Sequence, residues 1–190
     1  LQENTPTIFT ERLILRKFTL SDLPHYYKIM ACKATNKYLP WFPPKSESEA
    51  LSLLHKNCLD SYDLPSGYRY AVCLKENNVP IGYCGSSGTE SNDIGYGLLK
   101  DFWHKGIMTE AVTALVDRMK KAGYPYITAT HDVNNIYSGA VMRKVGMRYK
   151  YSYNEVWQPK NYLVTFRMYQ LNFDGVNRTY MEYWDKYPHF

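Results

Sequence analysis

Cysteine is scarce in this sequence, and long apolar runs do not occur. The four cysteines form no Cys-x-x-Cys pair, so their spacing predicts neither a zinc site nor a disulfide framework. No window reaches the roughly eighteen consecutive apolar residues of a membrane span. The start, Leu1 to Pro6, is polar where a signal peptide would be basic and then apolar, so we expect a cytoplasmic protein. Each cysteine is expected to be a small buried hydrophobe: Cys32, Cys58, Cys73 and Cys84.

The composition excludes several classes of protein. Hydrophobic residues make up 45% of the chain and charged residues 22%, which excludes collagen-like, low-complexity and disordered chains. The length of 190 residues suits one domain, and without a repeat or a linker we expect a single domain over residues 1–190. The net charge of +5 suits an anionic partner, but the basic residues form no run and no RNA-binding signature is present. The 19 tyrosines are interpreted mainly as packing residues.

The N-terminal part of the sequence predicts one strand and two helices. Ser21 is a suitable N-cap for the first helix, and Ser46 followed by Glu49 is the capping-box pattern that opens the second. Three prolines between these helices exclude a regular helix there and favour a loop with exposed aromatic residues. The predicted elements are a strand over Glu11–Phe18, a helix over Asp22–Met30, the loop over Leu39–Pro44, and a helix from Ser46 that ends before Leu64.

Strands dominate the predicted pattern from Tyr68 onward. The helix over Thr109–Ala122 has the clearest apolar periodicity, with Gly123 as its C-cap. A second helix begins at an Asn135 cap and is stopped by Gly146. The succession of strand, helix and strand in this half predicts a parallel pairing. The predicted strands are Tyr68–Leu74, Val79–Cys84 and Asp93–Leu99 as an antiparallel meander, then Tyr126–His131, Met147–Tyr153 and Tyr162–Leu171, before an amphipathic tail with Tyr180, Tyr183 and Trp184.

The segment from Asp93 to Ala111 carries the most chemical information. A predicted strand runs into a short loop that opens the strongest helix. Such a turn directs unpaired backbone N–H groups and the positive end of the helix dipole to one spot, which suits a diphosphate. Gly106 would allow a positive φ and a close approach of the backbone to the anion. The spacings of a Walker P-loop and of a G-x-G-x-x-G fingerprint are absent, so nothing predicts nucleotide hydrolysis, and the loop alone also fits an ordinary helix start.

Several motifs, taken in order, resemble those of a known family. They are Trp103-x-Lys105-Gly106-x-x-Thr109-Glu110-Ala111, Asn135-x-x-Ser138 and Lys144-x-Gly146-Met147, preceded by Thr10-Glu11-Arg12-Leu13-Ile14-Leu15-Arg16 and Leu39-Pro40-Trp41. This order is similar to that of the GNAT N-acetyltransferases, and most similar to the branch that includes the ribosomal-protein N-terminal-alanine acetyltransferases. The resemblance covers nearly the whole chain. It implies an α/β GNAT fold, with a mixed, centrally splayed β-sheet flanked by helices, and acetyl-CoA as the cofactor.

The resemblance also implies which residues bind coenzyme A. Amides of the loop would hold the diphosphate, and the bulged end of the preceding strand would pair with the pantetheine amides. Trp103 and Met108 stand where the superfamily pattern has Gln or Arg and Gly or Ala, so Met108 must turn its side chain away from the phosphates. The implied cofactor-binding residues are Leu98, Leu99, His104, Lys105, Gly106, Ile107, Met108, Thr109, Asn135 and Ser138.

Two catalytic roles follow from the implied chemistry. Acyl transfer from a thioester to an amine needs a donor for the developing oxyanion and an acid for the leaving thiolate. We expect the backbone N–H of Leu99 as the oxyanion donor, because a splayed strand leaves amides unpaired. Ser138 is expected as the thiolate acid, since Met142 stands where many family members have a tyrosine. The alternative is that Ser138 only permits helix packing and that water is the acid.

The base and the acceptor site are less closely defined by the sequence. Glu155 is the expected base, although the position that matches the family's glutamate without a gap is Trp157. Asp93 and His131, at strand ends, are alternative bases, and each also fits a solvated strand-end residue. The residues expected around the acceptor are Trp41, Phe42, Asp93, Tyr153 and Trp157.

The predicted activity is acetyl-CoA-dependent acetylation of a primary amine. A protein N-terminal α-amine is favoured, because a pKa of about 7.7 to 8.0 leaves it partly neutral at cellular pH. A polyamine, an amino acid or an aminoglycoside-like compound is an alternative acceptor. Alternatives of other classes are a non-catalytic acyl-CoA-binding module and an RNA- or ribosome-associated protein. The sequence predicts no metal, membrane or nucleic-acid partner, and it leaves a homodimer open.

Overall fold

The computed structural model describes residues 3–65 and 67–190. Leu1 and Gln2, from the polar start of the sequence, and Ser66 lie outside the described residues. The elements in chain order are β1 (Ile8–Phe9), β2 (Leu13–Lys17), α1 (Leu23–Ala31), α2 (Glu47–Asn57), β3 (Tyr68–Leu74), β4 (Pro80–Ser86), β5 (Ile94–Leu98), α3 (Ile107–Lys121), β6 (Tyr126–Asp132), α4 (Ile136–Lys144), β7 (Arg148–Trp157), β8 (Tyr162–Asn172) and α5 (Glu182–Lys186).

The strands form two sheets that meet at a narrow contact. Strands β1 to β5 form one antiparallel sheet in sequential order, and β6, β8 and β7 form a second antiparallel sheet in that order. A parallel bridge between Asp93 and Thr128 joins the sheets at β5 and β6. The predicted splay and the predicted parallel pairing are both confirmed, but in the described part of the chain the pairing is limited to this bridge.

Helix α3 packs against the first sheet and begins earlier than predicted. It begins at Ile107 rather than Thr109, because Gly106, at a φ of 74°, makes the left-handed turn that leads into the helix. Ile107 and Met108 therefore lie in the first turn, and both side chains are buried in the main core, so Met108 does turn away from the loop. The buried side chains of α3 recur at helical spacing: Ile107, Met108, Ala111, Val112, Leu115, Val116 and Met119.

The entry into helix α1 differs from the prediction. Ser21 is exposed and lies inside a short 3-10 turn over Leu20–Asp22, so it is not the N-cap. The N–H of Thr19 donates instead to the carboxylate of Asp22 at 2.8 Å. That carboxylate also accepts two hydrogen bonds from the guanidinium of Arg16, at 2.7 and 2.9 Å. An acidic residue paired with β2 therefore fixes this end of the helix, which the local pattern around Ser21 does not show.

The caps of α2 and α4 follow the sequence more closely. Ser46 accepts a hydrogen bond from the N–H of Glu49 at 3.2 Å, as predicted. The carboxylate of Glu49 accepts from the N–H of Lys45 at 2.8 Å rather than from that of Ser46, so the capping box is displaced by one residue. Asn135 caps α4 by accepting from the N–H of Ser138 at 3.4 Å, which confirms the predicted start of this helix.

The C-terminal segment packs against the second sheet. Strand β7 continues past Tyr153 to Trp157, since the hairpin with β8 stays paired up to its turn. Beyond β8, the rings of Tyr180, Tyr183 and Trp184 pack on an aromatic cluster on one face of this sheet, as expected for an amphipathic tail. The last residues then pair with β7: the N–H of Asn154 donates to the carbonyl of Pro188 at 2.8 Å, and Ser152 and Phe190 exchange two backbone hydrogen bonds.

The cysteines behave largely as predicted. All four are free thiols; Cys58, Cys73 and Cys84 are buried, whereas Cys32 is only partly buried, so the expectation of a buried hydrophobe is wrong for Cys32. Across residues 3–65 and 67–190, no helix is both long enough and apolar enough to cross a membrane. In the same residues, the side chains of His, Cys, Asp and Glu form no cluster that could hold a metal ion.

Candidate active site

The gap between β5 and β6 exposes backbone groups of β5. Leu99 N–H donates to the carbonyl of Ile81 at 2.9 Å, and the carbonyl of Asp93 accepts from Ser87. The odd-numbered residues along β5 therefore form the backbone hydrogen bonds with β4. In an antiparallel pair the residues between them direct their N–H groups to the other side, so those of Tyr96 and Leu98 point into the gap. The expectation that the amide of Leu99 is unpaired is wrong, because the register with β4 continues one residue beyond the strand.

The carbonyl of Leu98 is held at the end of this gap. It accepts a hydrogen bond from the indole Nε1 of Trp103 at 2.7 Å and another from the hydroxyl of Thr35 at 3.0 Å. The superfamily pattern has a polar residue at the position of Trp103. Here the indole N–H of Trp103 is the hydrogen-bond donor that fixes the end of β5. Thr35 was not found by the sequence analysis, because its partner lies 63 residues away.

The loop before α3 has a backbone suited to an anion. His104 and Gly106 both adopt left-handed conformations, with φ of 60° and 74°. Alternating backbone conformations of this kind turn successive N–H groups to one side, and helix geometry leaves the first N–H groups of α3 without intrahelical partners. A Cβ at Gly106 would have only the guanidinium of Arg12 nearby, at 3.5 Å, so the space beside this residue is open. His104, Lys105 and Gly106 are all exposed, which leaves the loop accessible.

A network from the turn between β1 and β2 anchors this loop. The guanidinium of Arg12 donates to Glu110 at 2.7 Å and to the carbonyl of Lys105 at 2.8 Å. Glu110 also accepts from the hydroxyl of Thr10 at 2.6 Å. Burial raises the pKa of the Glu110 carboxyl, but the hydrogen bonds from Thr10 and Arg12 outweigh burial and hold the pKa below its usual value. The sequence analysis assigned no role to this network, because its partners lie about a hundred positions apart.

Ser138 lies in the first turn of α4, as predicted, and meets a tyrosine that the sequence analysis missed. The hydroxyl of Tyr96, on β5, donates to the carbonyl of Ser138 at 2.7 Å, and the hydroxyl of Ser138 donates to the oxygen of Tyr96 at 3.2 Å. Burial raises the pKa of Tyr96. Nearby, the rings of Tyr137 and His104 meet edge to face at 4.6 Å, which connects α4 with the anion-suited loop.

The opposite face of β5 carries Asp93 and two glycines. A Cβ at Gly97 would meet the ring of Tyr83 at 2.7 Å, whereas a Cβ at Gly95 would have nothing within 4 Å. Gly95 therefore leaves open space beside Asp93. The carboxylate of Asp93 accepts from the hydroxyl of Thr128 at 3.2 Å, and burial raises its pKa to about 7 despite that hydrogen bond.

The other two candidate bases occupy different surroundings. Glu155, on β7, accepts a hydrogen bond from the hydroxyl of Tyr187 in the C-terminal segment at 3.0 Å. His131 is buried rather than solvated, and its Nε2 would lie 2.5 Å from a Cβ at Gly139, so it packs beneath α4. Burial lowers the pKa of His131, which keeps the ring neutral.

The expected acceptor residues come from three parts of the chain. Trp41 is half-buried and donates to Asn36 at 3.3 Å, whereas Phe42 is exposed, so only one of the two predicted exposed aromatics is exposed. Tyr153 and Trp157 pack on the ring of Phe166 within the aromatic cluster of the second sheet. Burial is the main cause of the raised pKa of Tyr153, and the charges of Tyr183, Glu155 and Asp93 add to it.

Two loops meet beside these residues. The ammonium of Lys160, in the turn between β7 and β8, donates to the backbone carbonyl of Asn36 at 3.4 Å. The side chain of Asn36 in turn donates to three carbonyl groups at the end of α1. The turn of the last hairpin and the loop that contains Trp41 are therefore joined through Asn36.

Comparisons with known proteins agree with this geometry. A family model described as an acetyltransferase (GNAT) domain matches residues 12–148. The uncharacterized N-acetyltransferase p20 of Bacillus licheniformis is 30% identical over 116 residues, which cover 58% of this chain and 64% of that protein. The match thus spans slightly less than two thirds of that relative's length.

Solved structures share the fold at lower identity. A GNAT-family acetyltransferase from Bacillus anthracis superimposes with a TM-score of 0.77 at 22% identity, covering 89% of this chain and 99% of that one. RimL, a ribosomal L7/L12 α-N-protein acetyltransferase solved in complex with coenzyme A, gives a TM-score of 0.76 at 20% identity, covering 90% of this chain and all of that one. The family match extends over well over half of the sequence and includes the anion-suited loop, the gap and Ser138. The chain therefore belongs to the GNAT acetyltransferase family.

Proposed function

We propose that this protein is an acetyl-CoA-dependent N-acetyltransferase whose acceptor is the α-amino group of a protein or peptide N-terminus. The observation that carries the proposal is the gap between β5 and β6. The anion-suited loop and Ser138 lie on the α3 and α4 side of this gap, and Asp93 faces the opposite side. Acetyl-CoA, the cofactor of the family, supplies an acetyl thioester when it is bound.

The loop residues suit the diphosphate of coenzyme A. The N–H groups from His104 to Thr109 would hold this anion, with the positive φ at Gly106 providing the close approach. The N–H of Leu98, directed into the gap, is suited to pair with an amide of the pantetheine arm. Asn135 and Ser138 would border the same arm from the start of α4.

Asp93 is the base that the geometry favours. A general base works best with a pKa near the working pH, and the pKa of Asp93 is about 7. The open space beside Gly95 gives an amine access to this carboxylate. Glu155, the base expected from sequence, is engaged by Tyr187, so we assign it to the wall of the acceptor site together with Tyr153 and Trp157.

Each proton and charge then has a named partner. Asp93 takes the proton that the amine loses as its nitrogen bonds to the acetyl carbon. The N–H of Tyr96, on the strand beside Ser138, donates to the carbonyl oxygen that becomes negative, in place of the paired amide of Leu99. Ser138 gives a proton to the sulfur as the carbon–sulfur bond breaks and regains a proton from solvent, while Asp93 releases the proton of the amine to solvent.

The choice of an α-amine rests on the energy of deprotonation. An α-amino group has a pKa of about 7.7 to 8.0 and a lysine side chain one of about 10.4, so lysine costs roughly 3 to 4 kcal/mol more to deprotonate at neutral pH. A carboxylate with a pKa of about 7 is a weak base for lysine but is matched to an α-amine. RimL, with a similar fold, is named as an α-N-protein acetyltransferase, which agrees with this choice.

A competition assay tests the acceptor. A peptide with a free N-terminus and one internal lysine is incubated with acetyl-CoA and the protein, and mass spectrometry locates the added acetyl group. We expect modification of the N-terminus, with a rate that rises with pH through the pKa of the amine. The same peptide with a blocked N-terminus is the matched control and should remain unmodified.

The other outcomes favour other functions. Acetylation of the lysine would refute the proposed acceptor. Acetylation of a small amine but of neither peptide site would indicate a small-molecule acetyltransferase. Binding of acetyl-CoA without turnover of any amine would indicate a non-catalytic acyl-CoA-binding protein.

A further inference from the structure

Tyr96 reaches across the edge of the gap to the residue proposed as the acid. It lies on β5, whereas Ser138 lies on α4, 42 positions later in the chain. Its ring is partly buried and packs against the main core, so the position of its hydroxyl is fixed by the sheet. Both polar atoms of Ser138 that face β5, the carbonyl oxygen and the hydroxyl, contact this one phenol.

The direction of the two hydrogen bonds follows from the number of protons. A phenol has one proton, and the shorter contact, 2.7 Å, leads to a carbonyl oxygen that can only accept. Tyr96 must therefore donate to the carbonyl of Ser138 and accept from its hydroxyl at 3.2 Å. Before the reaction, the hydroxyl proton of Ser138 points at the oxygen of Tyr96. The hydroxyl oxygen of Ser138 keeps its position while this hydrogen bond is present.

We propose that Tyr96 is a positioning residue that holds the hydroxyl of Ser138 in place for proton delivery to the leaving sulfur. This inference rests on the proposed function. The contact of 3.2 Å is longer than an ordinary hydrogen bond between two oxygens and is therefore weak. The proton can turn away from Tyr96 by rotation about the carbon–oxygen bond, without movement of heavy atoms. The phenol stays protonated throughout, and the proton that reaches sulfur comes from Ser138, which then regains a proton from solvent.

The neighbouring residues explain why the chain needs such a device. Met142, one turn further along α4, is buried and has no proton to give. A serine side chain rotates easily between three positions unless something holds it. The double contact with Tyr96 selects one of these positions and also fixes the first turn of α4, on which Ser138 lies.

The first test is a mutant cycle on the full-length protein. Tyr96→Phe should lower kcat roughly three- to tenfold, the effect of one hydrogen bond, with the KM for acetyl-CoA within about twofold of the wild type. Tyr96→Phe combined with Ser138→Ala should be no slower than Ser138→Ala alone, because Tyr96 acts through Ser138. Tyr70→Phe is the matched control, since Tyr70 is a buried tyrosine that donates to the carbonyl of Pro6 at 2.8 Å, away from the gap.

The second test changes the leaving group. An acetyl thioester of an acidic aryl thiol releases a thiolate that needs no proton, so Tyr96→Phe and the wild type should react with it at the same rate. Equal losses with both donors, additive effects in the cycle, or a kcat for Tyr96→Phe equal to that of Tyr70→Phe would each overturn the inference. Failure of the wild type to turn over any amine would instead refute the proposed function, and the inference with it.

Discussion

Asp93 illustrates how the surroundings of a single residue set its chemistry. Its carboxyl lies at the bridge between the two sheets, where burial raises the pKa to about 7. The hydrogen bond from the hydroxyl of Thr128 lowers the pKa, but by less than burial raises it. A side chain that is ordinarily ionised throughout the physiological range therefore titrates within it.

Substitution of Asp93 should change the pH dependence of the reaction. In the wild type, kcat/KM should rise with pH as the carboxyl ionises, with an apparent pKa of about 7. Asp93→Asn should remove the part of this rise that is due to the carboxyl and leave only the rise set by the pKa of the amine. It should also lower kcat/KM by roughly a hundredfold or more, because general-base catalysis contributes about that much. Initial rates between pH 5.5 and 9 measure both effects.

Glu155→Gln is the control for that experiment. It removes a carboxylate on β7 that accepts a hydrogen bond from the hydroxyl of Tyr187. Its pH profile should match that of the wild type. If Glu155→Gln flattens the profile and Asp93→Asn does not, the base is Glu155, as the sequence analysis expected.

Asp93→Asn should also raise stability at neutral pH. The carboxyl has a pKa of about 7 in the folded chain, against an ordinary value of 3.8 for an exposed aspartate, so the folded chain holds this proton more tightly. The free energy of unfolding therefore falls as the pH rises from about 4 to 7, whereas asparagine, which does not ionise, avoids this loss. The melting temperature of the variant should exceed that of the wild type at pH 8 and match it near pH 4.

At the scale of elements, the loop before α3 depends on a pair of charges. Glu110 places a carboxylate in the first turn of α3, next to the proposed diphosphate site, and Arg12 neutralises it. The same guanidinium holds the carbonyl of Lys105. Since the pair is partly exposed, we expect it to add little to stability and to act on anion binding instead.

Removal of Arg12 should weaken the binding of acetyl-CoA. Arg12→Gln leaves the charge of Glu110 beside the diphosphate, and we expect the Kd for acetyl-CoA to rise roughly five- to twentyfold. Addition of Glu110→Gln to this variant should recover most of the loss. Calorimetric titration with acetyl-CoA measures all three values.

Arg178→Gln provides the matched control for the loop. Arg178 pairs with Asp174 at 2.6 Å in the C-terminal segment, away from the loop, and the Kd should not change. An unchanged Kd for Arg12→Gln, or a double variant weaker than the single one, would show that the charge pair has no role in binding.

The sequence predicts elements well where their signals are local. Helix α3 has a continuous apolar face, and the cap at Asn135 contacts a residue three positions away, so both were identified. The start of α3 was placed two residues late, because the left-handed turn at Gly106 brings Ile107 into the helix. The cap of α1 was misplaced because Asp22 is held partly by Arg16, on a different element.

The candidate site was predicted only in part, for the same reason. Ser138 was placed in the correct turn, since its position follows from the Asn135 cap. The pairing of Leu99 with Ile81 and the approach of Tyr96 to Ser138 depend on sheet register and on the packing of α4. Neither contact can be predicted from the neighbouring sequence, because each joins residues that are far apart in the chain.

At the scale of the whole molecule, the gap between the sheets should be closed by the cofactor. A ligand that pairs with both sides of the gap stabilises the folded chain by about 2.7 kcal/mol at a hundred times its Kd. For a chain of this size, that corresponds to a rise in melting temperature of about 5 to 10 °C. A thermal-shift titration with acetyl-CoA measures it.

Gly106→Asp should abolish this stabilisation. It places a carboxylate and a Cβ beside the proposed diphosphate site, at a residue with a φ of 74°. The variant without ligand should still unfold cooperatively, so that loss of the shift reports on binding. A shift equal to that of the wild type would rule out the loop as the anion site.

The pairing of the last residues with β7 has a consequence for handling the protein. Strand β7 is the outer strand of its sheet, ten residues long and rich in tyrosine. An uncovered strand of this kind is a template for edge-to-edge aggregation. Pro188 and Phe190 occupy the backbone groups of Asn154 and Ser152, and so shield part of that edge. A variant that lacks residues 187–190 should therefore leave this edge of β7 open to a neighbouring molecule.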